Sequence, residues 1–388
     1  MYRRSARESY KPLRRKVALK TAALKSMKST ASTSSQSDVF KTREFQANIT
    51  DIALFLAKFL SGKSDIFITP QDYGGFACRL EKIGGRTYYN ILVPKWAKYD
   101  LPLDPKSKYR IYRSSIWHEA MHSRYTPEKV YSIGARIDRE QDIERVLDPL
   151  LHDVANIIED RRIEDLGVKL WPGYKPERLF SNAYFWSQRM DVGEFYKLYL
   201  SSYYDPKTGT FPNITNARIL DFLKQRLSHM RHEAFLQRLI TGKIKGADKL
   251  PLEERQRIED VAAYVEEELK EITKENVSDK KVYETIERLT KKVIQDLQLQ
   301  YYKPPIRTVG QSSWDITFTP EWAEDVGTKD KQKVRAGIDD YFDEIVKVEY
   351  ICTRCGKPYT KVYGHRFKGE KLTPPPGYEG LGEGENVV

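Results

Sequence analysis

Cysteine is scarce in this chain, and long apolar runs are absent. The 388 residues include three cysteines: Cys78 alone, and Cys352 with Cys355 in C-x-x-C spacing. Three thiols cannot build a disulfide framework for a chain of this size, so we expect a reducing compartment. No window approaches the roughly 18 apolar residues of a membrane span, and no secretory signal is evident. These absences predict a soluble protein of the cytoplasm, or of a virion or its host cytoplasm.

Glycine-rich phosphate loops are missing as well. Neither G-x-G-x-x-G nor G-x-x-x-x-G-K-[ST] occurs in the sequence. Because these loops supply the backbone N–H groups that hold nucleotide phosphates, their absence argues against nucleotide hydrolysis.

Positive charge is concentrated at one end of the chain. The net charge is +11, and residues 1–28 contain ten Lys or Arg residues against the single acid Glu8. With the serine-rich stretch that follows, this segment predicts a disordered basic arm over 1–38. Such an arm could bind nucleic acid or an acidic partner in a salt-dependent way, and its composition is also typical of an organellar transit peptide.

The remainder predicts a mostly helical α+β protein with a small β-sheet. A hairpin signal at Gly84-Gly85 lies inside strand-like runs at 76–94, and a helix is expected from Asp104 to Tyr125. A further long helix is expected over 139–170, bent near Pro149. We divide the chain into a basic arm, a metal-binding domain, a charged helical domain or arm, and a C-terminal region: 1–38, 39–205, 206–300 and 301–388.

The sequence "WHEAMH" at 117–122 carries the most chemistry. On a helix, residues four apart share one face, so His118 and His122 can both offer an imidazole nitrogen to one Zn²⁺. Glu119 falls beside them, where a carboxylate can act as a general base toward water. The alternative is a packed pair of helix histidines without a metal, since a short pattern also arises by chance.

A catalytic zinc site needs a third protein ligand and an open fourth position. The strongest candidate is Glu159 in "NIIEDRRIE", and Asp160 could replace it. His152 and Asp153 are weaker options. An acid not used as a ligand, Asp160 or Glu164, could instead accept the N–H of a ligating histidine.

"HEAMHSRYT", "NIIEDRRIE" and "WPGY" together resemble the N-terminal HExxH domain of cobaltochelatase CobT-like proteins of phages and prokaryotes, which often accompany a von Willebrand A domain. More broadly they resemble gluzincins. The resemblance covers about residues 66–175 and implies a zincin-like fold with zinc ligands at His118, His122 and Glu159 and a base at Glu119. The chain lacks the Asp-x-Ser-x-Ser run of a von Willebrand A metal site, and its interval from His122 to Glu159 exceeds that of thermolysin-type enzymes.

Hydrolysis of a peptide also needs a hydrogen-bond donor for the oxyanion of the transition state. Four residues near the motif could supply it, and the sequence does not rank them: Arg124, Tyr125, Tyr131 and Arg161.

Two further groups could bind metal. Cys352 and Cys355 have the spacing of a zinc knuckle, which would need His365 and another ligand to complete a second zinc site. A redox pair or plain surface thiols are the alternatives. His229 and His232 lie one helical turn apart, and a helix surface pair is the simpler interpretation.

These patterns predict a zinc metallopeptidase that acts on a protein or peptide. The rival hypothesis is a catalytically silent zincin-fold binding or assembly protein, viral or part of a multiprotein complex. In that case the metal would serve structure, and the basic arm would contact nucleic acid or acidic surfaces.

Overall fold

A computed structural model gives the structure of the chain. It describes residues 39–40, 42–72, 75–138, 143–146, 148–304, 334, 338, 340–341, 345–351 and 358–365. For 136–138, 143–146, 345–351 and 358–365 the description covers the backbone. The predicted basic arm at 1–38 and the chain beyond residue 365 lie outside the described residues.

Two compact units meet in sequence between Ala47 and Asn48. In the first, the Thr42 hydroxyl accepts the N–H of Phe45 at 3.1 Å, which caps the start of helix α1 (Arg43–Ser61). The second unit contains the sheet, the remaining helices and the candidate site.

A three-stranded sheet precedes the HExxH helix, as the sequence predicts. Its strands are β1 (Ile66–Gln71), β2 (Ala77–Ile83) and β3 (Arg86–Pro94), in the order β1-β3-β2. β3 runs parallel to β1 and antiparallel to β2. The predicted hairpin turn is confirmed: Gly84 and Gly85 have φ angles of +58° and +78°, which suit glycine in a tight two-residue turn.

Helices make up most of the rest of the described chain. They are α2 (Pro105–Tyr125), α3 (Glu128–Tyr131), α4 (Pro149–Leu170), α5 (Lys175–Gln188), α6 (Val192–Tyr199), α7 (Ala217–Thr241), α8 (Leu252–Ile272) and α9 (Asp279–Asp296). Short 3₁₀ turns lie at Pro172–Tyr174, Ala247–Lys249 and Leu299–Tyr301. A mostly helical protein with a small sheet belongs to the α+β class, as predicted.

The segment 139–170 is not one helix. Strands β4 (Ala135–Asp138) and β5 (Ile143–Val146) pair in antiparallel fashion, and α4 begins at Pro149. Asp148 caps this helix because its carboxylate accepts the N–H of Leu151 at 2.9 Å, and proline suits a first helical position. The predicted helix is therefore wrong before residue 149 and confirmed after it.

The charged helices α8 and α9 pack into the main core. The apolar stripe predicted on α8 is buried: Ile258, Val261, Ala262, Val265, Leu269 and Ile272. These side chains share one hydrophobic cluster with residues of α4, α6 and α7. The cluster therefore crosses the predicted domain boundary at 205/206, and α8 contributes to the core rather than forming an exposed arm.

The C-terminal strands β6 (Ile345–Ile351) and β7 (Pro358–His365) form an antiparallel hairpin. Cys352 and Cys355 fall between them in sequence and lie outside the described residues. Within the described part of the chain, no helix is both long and apolar enough to cross a membrane.

Candidate metal centre

Helix α2 places the two histidines of the motif on one buried face. Asp104 caps the helix by accepting the N–H groups of Lys106 and Ser107, and α2 ends at Tyr125, where Pro127 disfavours further helix. The imidazole rings of His118 and His122 are 4.9 Å apart between centroids. Their exposed fractions are 8% and 4%, so the spacing expected from the sequence produces a buried pair.

Helix α4 runs antiparallel to α2 and brings acids to this pair. His118 contacts Glu164, whereas His122 contacts Asp160. The helices approach closely at Gly167, where an added Cβ would lie 2.6 Å from the Trp117 ring. Asp160 and Glu164 are themselves four residues apart, so two matching helix faces meet.

The inner nitrogen of each imidazole points to one carboxylate oxygen. Asp160 Oδ1 lies 3.0 Å from His122 Nε2 and 3.5 Å from His118 Nε2. Ligand atoms around a tetrahedral zinc are roughly 3.3 Å apart, given metal–ligand distances near 2.0–2.1 Å. All three ligand atoms lie within 4.8 Å of one another, so this group could hold a metal ion.

The outer nitrogens of both rings also have partners. His118 Nδ1 lies 3.2 Å from Glu164 Oε1, and His122 Nδ1 lies 3.0 Å from the Thr126 hydroxyl. Without a metal, Nε2 of each ring can donate to Asp160; in the neutral form that binds a metal, a carboxylate or hydroxyl that accepts the Nδ1 N–H leaves a lone pair on Nε2. The surroundings therefore orient both imidazoles as ligands toward the same point.

The electrostatics of the site favour a positive charge between the two imidazole rings and the Asp160 carboxylate. Burial disfavours the charged imidazolium, but hydrogen bonds to Asp160 and Glu164 outweigh this and raise the pKa of His118 well above its ordinary value. Burial likewise opposes ionisation of Asp160, yet hydrogen bonds from His118 and His122 hold its pKa well below the ordinary value. A donor set of two imidazoles and one carboxylate suits zinc.

Comparisons of the chain with protein-family models, with curated proteins and with solved structures give no match.

Glu159, the preferred third ligand from the sequence, is engaged elsewhere. Its carboxylate accepts hydrogen bonds from Arg162 at 2.7 Å and from the Thr126 hydroxyl at 2.6 Å. Arg162 in turn donates to the carbonyl of Tyr125, which ties α4 to the end of α2. The structure thus corrects the order of preference between the two acids. Asp160 lies beside the histidines, whereas Glu159 accepts the hydrogen bond of the Thr126 hydroxyl.

Glu119 is fully buried next to the ligand group. Its negative charge raises the pKa of His118 and adds to the effect of burial on the Cys78 thiol. It also lines a pocket together with His118 and Glu164. The structure therefore places the predicted base and the predicted ligand His118 along the same cavity wall.

Tyr131 is the one predicted oxyanion donor that the structure brings beside these histidines among the described contacts. Its ring lies 6.4 Å from that of His122, and its hydroxyl donates to Cys78 Sγ at 3.5 Å. Burial raises the pKa of Tyr131 well above its ordinary value, so the phenol keeps its proton. Arg124 instead donates to the Ser61 carbonyl.

The other predicted donors and ligands are also used away from the cluster. Arg161 pairs with Asp165, and the Tyr125 ring lies under the Arg124 guanidinium. His152 Nδ1 lies 3.0 Å from the carbonyl of Ile133, which anchors the start of α4. His152 lines a small pocket with His122, but it is not part of the group formed by His118, His122 and Asp160.

Asp153 and His232 lie in the core, and His229 is half-buried one helical turn from His232. His232 Nε2 is 2.6 Å from Asp153 Oδ2, and both residues are buried. His229 stacks on Tyr302, with 4.7 Å between ring centroids. Burial holds the pKa of His229 well below its ordinary value. His232 is thus buried against α4 and His229 is half-buried, which corrects their interpretation as an exposed helix surface pair.

Cys352 and Cys355 lie outside the described residues, and for His365 the structure describes the backbone alone. A second zinc site at these positions stays a prediction. Among the residues around the first site, Thr126 was not anticipated from the sequence. Its position four residues after His122 is the signal that could have identified it.

Proposed function

We propose that this chain is a zinc-dependent metallopeptidase with a zincin-like active site. His118, His122 and Asp160 would hold the metal, and Glu119 would serve as the general base. The observation that supports this most strongly is the orientation of the two imidazoles. Both turn Nε2 toward Asp160 while Glu164 and Thr126 hold Nδ1.

A zinc ion at such a site supplies a Lewis acid for the substrate carbonyl and lowers the pKa of water. Glu119 has two tasks in this proposal. Its carboxylate accepts a proton from the attacking water, and it returns that proton to the leaving amine as the peptide bond breaks. Tyr131 keeps its phenolic proton at neutral pH and is the candidate donor to the developing oxyanion.

The position of the sheet is compatible with a peptide substrate. β2 is an edge strand in the order β1-β3-β2, and Phe76, the residue before it, lines the pocket beside His118 and Glu119. An edge strand offers N–H and C=O groups that can pair with an extended chain.

Deep burial of the ligand group favours a second candidate, a silent metal centre in a binding or assembly protein. Asp160 is 1% exposed, and a closed site could serve structure without turnover. The two candidates differ in whether Glu119 does chemistry, because a structural metal needs no base.

The test is the substitution Glu119→Gln in the full chain, assayed on fluorescent casein. We expect hydrolysis to fall by at least about 10²-fold, because the amide cannot accept the proton, while zinc per chain stays the same. The matched control is Glu128→Gln, an exposed acid of α3, which should leave hydrolysis unchanged. Equal hydrolysis by the wild type and Glu119→Gln would exclude this mechanism, and zinc binding without any hydrolysis would favour the silent centre.

A further inference from the structure

A pocket opens directly beside the proposed active site. Its walls come from α2, α5 and the start of the sheet, and His118 and Glu119 border it. Among the other residues of its wall are Phe76, Trp117, Glu164, Arg178, Ser181 and Phe185. The space accommodates at least one group of the size of a water molecule. A hydroxyl group at the end of a small side chain has about that size.

Two hydrogen-bond donors in this wall have no hydrogen-bond partner among the described residues. They are the Ser181 hydroxyl and Trp117 Nε1. Ser181 is 6% exposed and Trp117 is 1% exposed, so bulk water does not compensate either group. Helical serines usually donate to a carbonyl one turn back, as Ser115 does to Ile111 at 3.0 Å and Ser187 does to Tyr184 at 2.6 Å. Ser181 makes no such bond.

The charges in the pocket wall are already paired. Arg178 Nε lies 2.9 Å from Glu164 Oε2, and its Nη1 lies 3.3 Å from Asp165 Oδ1. The Arg178 guanidinium is therefore already neutralised and offers no charge to an acidic ligand, and the buried Glu119 carboxylate would repel one. Phe76 and Phe185 add apolar walls. The pocket thus suits a short, uncharged group that accepts hydrogen bonds.

We propose that this pocket is the specificity subsite for the side chain next to the scissile bond, and that it selects serine. The substrate hydroxyl would accept hydrogen bonds from Ser181 and Trp117, whereas large or acidic side chains would be excluded. This inference rests on the proposed peptidase function, because it needs the metal centre to anchor the neighbouring backbone.

Amino-acid hydroxamates test the subsite without requiring turnover, since the hydroxamate binds the metal and the side chain reports on the pocket. The probes are acetohydroxamate and the L-serine, L-alanine and L-leucine hydroxamates, titrated by calorimetry into the zinc-loaded full chain. The serine compound should bind about threefold to tenfold more tightly than the alanine compound, the usual value of one neutral hydrogen bond. Leucine hydroxamate should bind most weakly.

The variant Ser181→Ala should reduce the preference for serine over alanine, because Trp117 remains as the second donor, and it should leave acetohydroxamate affinity unchanged. Ser187→Ala is the matched control on the same helix, because its hydroxyl already donates to its own helix, and it should keep the preference. Equal affinities for serine and alanine hydroxamates in the wild type, with casein still hydrolysed, would overturn the subsite and leave the peptidase proposal standing. No hydroxamate binding together with no hydrolysis would overturn both.

Discussion

Thr126 determines which way the His122 imidazole faces. Its hydroxyl meets His122 Nδ1 at 3.0 Å and donates to Glu159 at 2.6 Å, so a carboxylate supports the histidine through a hydroxyl. Orienting partners of this kind typically change metal affinity by 10- to 100-fold when they are removed.

The substitution Thr126→Val keeps the shape of the side chain and removes the hydroxyl. We expect zinc affinity to fall about tenfold, measured by competition with a chromogenic chelator. Thr290→Val is the control, because this buried hydroxyl donates to Ile286 within α9, away from the site. An unchanged zinc affinity in Thr126→Val would show that the hydroxyl does not orient the ligand.

At the residue scale, the sequence predicts which residues could form the candidate site. It does not predict which of the candidate acids lies beside the histidines. The i, i+4 spacing was enough to place His118 and His122 on one face. The choice between Glu159 and Asp160 depends on the rotation of α4 about its axis, and adjacent residues on a helix point about 100° apart. That rotation is set by distant packing, at Gly167 and Arg162 among others, which no local pattern encodes.

Gly167 controls how closely α4 approaches α2. An added Cβ would meet the Trp117 ring at 2.6 Å and Met121 Cγ at 2.7 Å. Gly→Ala inside a helix ordinarily stabilises by about 1 kcal/mol, but overpacking of a filled core costs about 1–3 kcal/mol. The second effect should dominate here because the neighbouring side chains are buried.

We therefore expect Gly167→Ala to lower the free energy of unfolding by up to about 2 kcal/mol in urea titrations. Zinc affinity should fall with it, because the two ligand helices move apart. Gly173→Ala is the matched control, since nothing lies within 4 Å of an added Cβ there. A stabilised Gly167→Ala would mean that the helices adjust without cost.

At the element scale, the sequence predicts the ends of helices and the turns between strands. It does not reliably predict whether the residues within a segment form helix or strand. The ends of α2 and the Gly84-Gly85 hairpin follow from local chemistry. The sequence predicts helix at strand β5 because "DIERV" has apolar residues at helical spacing as well as at strand ends, and short apolar patterns are ambiguous between the two.

A buried ion pair links helices that are far apart in sequence. Arg231 of α7 donates to both oxygens of Glu254 of α8 at 2.7 and 2.8 Å, and both residues are fully buried. The same guanidinium donates to the Tyr204 hydroxyl and to Gln298. One charge network therefore joins the ends of the chain segment between residues 204 and 298.

Burial opposes ionisation of Glu254, but hydrogen bonds from Arg231 outweigh it and lower the pKa of Glu254 from its ordinary value of 4.5. A group with a lowered folded pKa stabilises above its unfolded pKa, and this stabilisation is lost as pH falls through the folded value. The wild type should therefore lose stability below about pH 4.5 more steeply than Glu254→Gln does.

At pH 7 the same variant should be less stable than the wild type by about 3–5 kcal/mol, because Arg231 is left buried without its counter-charge. Thermal unfolding from pH 7 to pH 3.5 measures both effects. The exposed Glu267→Gln is the control and should follow the wild type. Parallel pH profiles for the wild type and Glu254→Gln would contradict this role.

At the scale of the whole molecule, the sequence predicts the α+β class but not how its helices join. The stripe on α8 was visible as a pattern, yet its partners on α4 and α7 are separated from it by long stretches of chain. The high charge content predicts an exposed arm. A helix with one buried face and one solvent-facing side still has more charged surface residues than apolar core residues.

The central claim is that His118, His122 and Asp160 hold one zinc ion. Its most direct test is zinc per chain by elemental analysis, on the full chain carrying Cys352→Ser and Cys355→Ser so that these thiols cannot contribute. We expect about one zinc with no further change and with Glu159→Gln, and loss of zinc with His122→Ala or Asp160→Asn. Absence of zinc throughout, or its loss with Glu159→Gln but not with Asp160→Asn, would contradict the account.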